Sequence, residues 1–200
     1  MKPLITTAAA VLMSIPAMSQ TIEAGSYKVD PAHSKVGFEI PHLVISTVEG
    51  NFRSYEGTID LKGKFETSTV SIRADVASID TGIKDRDDHL KSADFFDVAK
   101  YPKMTFQSAS LKGTPESFRL TGDLTIRGTK KKVTFEGKYL GSVKDAYGQQ
   151  KVAFVATAKI SRKDFGLKWN SLVEAGPVVG DEVTIKLSIQ GAKPASAEKG

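Results

Sequence analysis

The sequence predicts an all-β protein: an eight-stranded antiparallel up-and-down barrel with a short helical insert near residues 83–97. Three observations predict it. Apolar residues recur at every second position through most of the chain. The stretches between these runs are short, polar and glycine-bearing, as hairpin connections are. Only one stretch, 83–91, has a helical pattern.

The strands follow in chain order. Val36, Phe38 and Ile40 alternate with Lys35, Gly37 and Glu39. Tyr55, Gly57, Ile59 and Leu61 come next. Phe52 falls out of phase with Tyr55, so the region 47–60 reads as one long bent strand or a tight pair. Val70, Ile72, Ala74 and Val76 form the third run, and Met104, Phe106 and Ser108 open the fourth. Phe118, Leu120, Gly122, Leu124 and Ile126 form the fifth; Val133, Phe135, Gly137 and Tyr139 the sixth. The seventh carries Val152, Phe154, Ala156, Ala158 and Ile160, and the last Val183, Ile185, Leu187 and Ile189. RGTKK and KDAYGQQ supply hairpin turns.

A two-sheet sandwich has the same strand pattern. The small residues Gly57, Ala74, Gly122, Gly137, Ala156 and Ala158 on the apolar faces favour a hollow barrel, because they are expected to leave interior volume. An unfilled cavity is costly, and a long apolar ligand would offset that cost.

The ends have a different composition. Lys2, a mostly apolar run over 4–15, Pro16, and then Ala17 and Ser19 have the layout of a cleaved signal peptide over residues 1–19. Residues 20–191 form the predicted barrel domain. Residues 192–200 are small and polar, and are expected to be disordered. The chain has no cysteine and a net charge of +5, so neither a disulfide framework nor thiolate zinc ligation enters. Lys130, Lys131 and Lys132 form the one dense basic cluster, suited to a solvated turn or transient contact with anionic lipid headgroups. There is no basic stripe interleaved with stacking aromatics, so no nucleic-acid partner is expected.

RDDHLKSADFFD, residues 86–97, holds the densest polar chemistry. Asp85 is expected at the helix N-cap or first turn, Asp87 and Lys91 as an i,i+4 pair, and Ile83, Leu90 and Phe95 or Phe96 as the packed side. Arg86 is expected to pair with a carboxylate at the barrel mouth. An enzyme acting on a small or prenyl substrate would use His89 with Asp85 or Asp88. The acid–base residues are scattered, however, and no Gly-x-Ser-x-Gly nucleophile elbow is present. A metal site joining Asp85 and His89 to His33 or His42 lacks a tight helical histidine pair. His33 and His42 read as hydrogen-bonded histidines at strand ends.

Five segments in order resemble the YceI family: YKVDPAHSKVGFEIPHL, VEGNFRSYEGTI, RDDHLKSADFFDVAKYPKMTFQS, SRKDFGLKWN and VGDEVTIKLSIQ. The resemblance spans about residues 27–190. It implies a lipocalin-like barrel in an exported, periplasmic protein that is a binder rather than an enzyme. It implies no cofactor, an isoprenoid lipid or quinone as ligand, and a homodimer. On that reading Phe38, Ile40, Ile72, Phe106, Leu124, Phe135, Phe154 and Ile185 line the cavity. Arg86, His89, Trp169 and Asn170 stand at the rim to meet a headgroup.

Overall fold

The computed structural model describes residues 22–173 and 176–194; the stretch 1–19, expected to be a leader, and the residues from 195 lie outside them. β1 (Gly25–Val29) and β2 (Lys35–His42) form one barrel stave, interrupted by a 3-10 turn at Pro31–His33. β3 (Ser46–Phe52) and β4 (Tyr55–Leu61) form the next. β3 pairs with β2 and β4 with β1, so region 47–60 is one strand bent at Arg53 and Ser54. β5 (Thr69–Asp75), the short β6 (Ile79–Asp80) and α1 (Lys84–Lys91) follow. Then come β7 (Lys103–Thr114), β8 (Ser117–Ile126), β9 (Thr129–Lys144) and β10 (Gln150–Ser161). β11 (Leu172–Val173) and β12 (Gly176–Pro177) make a small separate ribbon before β13 (Glu182–Ala192).

The ring runs β1/β2, β3/β4, β5, β7, β8, β9, β10, β13 and back to β1/β2, eight antiparallel staves in all. β13 closes it. One edge pairs with β10 from Glu182 to Ala192. The other meets β2 (Ile185 opposite Phe38) and then β1 (Gly191 opposite Val29). Every stave has two neighbours, and closure leaves one apolar face inside. A sandwich would leave unpaired edges that this ring lacks. The segment expected to be disordered from 192 begins inside the sheet: Ala192 ends β13, and Lys193 N donates to Gln150 O at 2.9 Å.

The inward glycines do not act as expected. A Cβ at Gly122 would lie 2.5 Å from the Phe106 ring, and one at Gly137 would lie 2.6 Å from the Phe118 ring. These glycines leave no empty volume. They let a cross-strand phenylalanine lie flat on the backbone, and the interior volume arises elsewhere. At the Arg127–Gly128 turn both residues have positive φ (48° and 71°), the backbone that a two-residue hairpin loop requires.

β2, β5, β8 and β10 all run toward one end of the barrel. There α1, the 3-10 turn Arg162–Phe165 and residues 166–171 and 178–181 cover the opening. The opposite end is filled by Tyr27, Phe118, Tyr139 and Phe154, all buried, and covered by the turn Phe65–Thr67. The β2–β3 hairpin tip at the covered end is unusual. Leu43 (φ 51°) and Val44 (φ 66°) are both left-handed, which costs roughly 1–3 kcal/mol for a residue ill-suited to it.

α1 departs from expectation in detail. Its N-cap is Ile83, without a side-chain cap, while Asp85 sits in the first turn, one of the two places expected for it. The surface pairs are Lys84 with Asp88, and Asp88 with Lys91 at 3.7 Å, not Asp87 with Lys91. Asp87 is buried and accepts from Thr81 N (2.9 Å) and Thr81 Oγ1 (2.6 Å). It supplies the acceptor that Thr81 lacks just past the end of β6. Leu90, Phe95 and Phe96 pack inward, whereas Ile83 is 53% exposed.

Asp30 holds the kink between β1 and β2. Its carboxylate accepts from Ala32 N (3.1 Å) and Gln190 Nε2 (3.2 Å) and faces His33 Nδ1 (2.9 Å). Burial raises its pKa, but the His33 and Ala32 hydrogen bonds outweigh that and hold it below its ordinary 3.8. Asp30→Ala is expected to cost about 0.5–2 kcal/mol in urea unfolding at neutral pH, the range for a lost capping side chain. A lowered carboxylate contributes stability that is present above 3.8 and lost as pH falls through the folded value. The gap between the variant and the natural protein therefore narrows below pH 3.8.

Candidate functional site

The barrel encloses one large cavity of about 540 Å³, within the ~300–1,000 Å³ usual for small-molecule sites. Its wall is made of every second residue from the staves. Phe38, Ile40, Ile72, Phe106, Leu124, Phe135, Phe154 and Ile185 all line it. Further apolar wall comes from outside the alternating pattern: Leu90, Phe95 and Phe96 after β6, and Leu167, Trp169 and Val179 from the covering segment. Period-two reading has no way to place these, because they arrive from loops folded over the mouth.

The polar side chains of the wall are distributed unevenly. His42, Asp85, Arg86, His89, Thr105 and Arg162 sit at the α1 end. Ser68, at the other end, accepts from Lys62 N at 3.0 Å. Exposed wall residues at the α1 end include Pro41 and Asp85, whereas Leu61, Leu111 and Phe118 at the far end are buried. The cavity is thus an apolar well with a polar mouth.

Arg86 meets no carboxylate, contrary to expectation. Its Nε donates to Thr81 Oγ1 (2.7 Å) and its Nη2 to Thr81 O (2.8 Å). Asp87 already holds Thr81, so the guanidinium is fixed on a rigid turn. Its Nη1 has no hydrogen-bond partner among the described residues, and the side chain lines the cavity. The ring of His89 stands edge-on to Phe95 (5.1 Å) and to Trp169 (4.9 Å). Its Nε2 lies 3.1 Å from Asp94, neither of the carboxylates proposed for it. The chain turns back after α1 and brings Asp94 to the ring, while Asp88 is engaged by lysines on the helix surface. Asn170 does not line the cavity. Its amide donates to Val179 O (2.7 Å) and accepts from Val179 N (3.2 Å), closing the covering segment on itself.

Two arginines position the cover. Arg162, 2% exposed, donates to Gly180 O (2.8 Å), Leu167 O (2.7 Å) and Trp169 O (2.8 Å) and reaches Asp181 at 3.3 Å. Burial pulls its pKa below the ordinary value, and Asp181 opposes that shift. Arg127 donates to Gly166 O (2.6 Å) and Ala93 O (2.8 Å), joining the two halves of the cover across the β8–β9 turn. Neither was singled out from sequence as a site residue. In a one-dimensional reading an arginine at a strand end is a solvated charge.

Fold and site together define a class: a closed antiparallel barrel with an apolar well and a polar mouth. The chain belongs to the YceI-like family, whose domain model matches residues 27–191. Protein YceI of Escherichia coli O157:H7 is 38% identical over 173 residues, covering 85% of this chain and 88% of that one. Among solved structures, Burkholderia cenocepacia BcnA superposes with a TM-score of 0.71 at 27% identity, over 81% of this chain and 98% of that one. A Campylobacter jejuni YCEI protein gives 0.67 at 33% identity, over 82% and 96%. A domain from Saccharophagus degradans, described as polyisoprenoid binding and implicated in plant cell wall breakdown, gives 0.63 at 16% identity, over 84% and 98%; that likeness concerns the fold alone.

Arg162→Met keeps much of the side-chain volume and removes every donor. Three backbone carbonyls then lose their partner, so a loss of about 3 kcal/mol or more is expected in urea unfolding. Trp169 is the only tryptophan, and its fluorescence in the folded variant should shift to the red as the cover loosens.

Proposed function

We propose that the chain is an exported isoprenoid-lipid-binding protein that holds a polyprenyl or quinone-type tail in the barrel and its headgroup at the mouth, as a carrier or store. The observation that carries this is the uneven cavity: about 540 Å³ of apolar wall with polar groups gathered at one end. Each five-carbon unit moved from water into that wall is worth roughly 3–4 kcal/mol gross. Association costs of ~4–15 kcal/mol are then offset after about one to five units. The tail supplies affinity, and selectivity for the headgroup falls to the few polar side chains at the mouth.

The family membership and the shared barrel of the polyisoprenoid-binding Saccharophagus domain support this reading. The leader-like residues 1–19 support export to the periplasm. The packing of His89 between Phe95 and Trp169 supports a binder rather than an enzyme, since the ring is held as part of the wall.

Native mass spectrometry of the purified protein, followed by solvent extraction, tests the proposal. A stoichiometric species with repeated isoprene masses is the expected result. A bare polypeptide that takes up no added prenyl lipid would overturn it. Trp169 gives a second readout, because a tail entering the well changes its surroundings. Ala156 lines the cavity opposite Gly137 and Leu187, so Ala156→Phe fills the well. It is expected to weaken prenyl-lipid binding by at least about tenfold, the equivalent of two buried methylenes, with the barrel still folded. Arg86→Gln should weaken farnesyl phosphate binding while leaving farnesol unaffected, which would assign the free Nη1 to an anionic headgroup.

A further inference from the structure

The β2–β3 tip breaks the local rule for its own turn. Two successive positions with positive φ call for glycine or asparagine. This chain places Leu43 and Val44 there and follows them with Ile45. Val44 is 70% exposed and Ile45 89%. A β-branched residue held left-handed in solvent gains nothing from burial, so the turn is both strained and unpacked. Departures of this kind concentrate where function requires them.

Three features set this tip beside the mouth. His42, the last residue of β2, and Pro41 before it line the cavity. Leu43 N donates to Val178 O at 2.9 Å, tying the tip to the covering segment. β6 runs antiparallel to β3, with Asp80 opposite Asn51, and its continuation carries Ile83, 53% exposed, toward the same end. Across the ring, the β8–β9 hairpin ends at that end too. Its Lys130 and Lys131 are exposed and have no ion pair among the described residues, whereas Lys132 pairs with Asp123 at 2.8 Å. The covered end thus presents apolar side chains on one rim and free lysines on the opposite rim.

We infer that this end of the barrel docks on a lipid bilayer, with Val44, Ile45 and Ile83 entering the interface and Lys130 and Lys131 meeting anionic headgroups. This rests on the reading of the cavity as a lipid-tail container. It adds the surface through which a tail passes between bilayer and well without crossing water. The apolar chemistry suits acyl chains at the boundary, and the lysines suit phosphate-bearing headgroups. The mouth opens between the two rims, so docking would set the opening against the membrane.

The test uses vesicles of phosphatidylcholine with a minority of phosphatidylglycerol, and the protein without its leader. The variants are Val44→Asn and the double change Val44→Asn with Ile45→Ser. Asparagine suits the left-handed backbone, so Val44→Asn is expected to unfold at a higher temperature than the natural protein. The double variant is expected to lose at least about tenfold in vesicle partitioning, the equivalent of about one buried aliphatic side chain. Its Trp169 response to soluble farnesol should be unchanged. Vesicle binding equal to that of the natural protein in both variants would overturn the inference. So would a natural protein that is dimeric by sedimentation and becomes monomeric in the double variant, because the tip would then be a self-association surface. If the natural protein binds vesicles through the tip but gives no farnesol response, the docking surface stands and the container reading fails.

Discussion

β13 carries the constraint on which the rest of the structure depends. It is the one strand that pairs with both halves of the first stave, through Leu187 with Val36 and through Gly191 with Val29, while its other edge pairs with β10 throughout. Those contacts join the two ends of the domain. Without them the sheet would open, exposing its apolar face and two unpaired edges. With them, the inward residues of eight staves face one another, and the interior is set by ring size rather than by any single residue. Asp30 and Ser34 mark the place where the first stave must bend to follow β13. Gln190 N donates to Ser34 Oγ at 2.9 Å, and the Gln190 side chain reaches Asp30.

Within the ring, the aromatic residues divide the volume into a filled base and an open well. Phe106 and Phe118 lie on glycine backbones of the neighbouring stave, which draws their rings toward the wall. Tyr139 and Phe154 pack at 5.1 Å, and Phe118 stands edge-on to Phe154 at 6.3 Å, closing the base. The well runs from that base, where Phe118 and Phe154 also line it, past Ile40, Ala156 and Ile185 to Phe95, Phe96 and Trp169 at the mouth. An apolar volume of this size loses contact energy while empty, which is the physical incentive for a ligand.

The mouth is held by cations that bond to the backbone. Arg162 and Arg127 between them bind five main-chain carbonyls of the cover. Arg86 is fixed on Thr81 in the same way but keeps one nitrogen free. The difference in role lies in the terminal nitrogens: Arg162 and Arg127 each engage both, whereas Arg86 keeps Nη1 free and can meet a ligand. His89, clamped by two aromatic rings, belongs to the wall.

The sequence by itself determined the staves, their inward faces and the barrel class, because period-two patterning is a local property that a closed antiparallel sheet leaves unchanged. All eight expected wall residues of the staves line the cavity for that reason. The helical insert was legible within a residue of its observed limits, and the resemblance to the YceI family named the fold correctly. Only the tertiary structure decided the mouth. That Asp94 rather than Asp85 or Asp88 meets His89, that Asn170 closes a loop, and that the exposed-looking Arg162 is the cover's central bracket all follow from long-range contacts. The roles of Gly122 and Gly137 as cradles for phenylalanine rings do too. Side chains and carbonyls are brought together there by ring closure and chain reversal, and no periodicity along the chain encodes which of them meet.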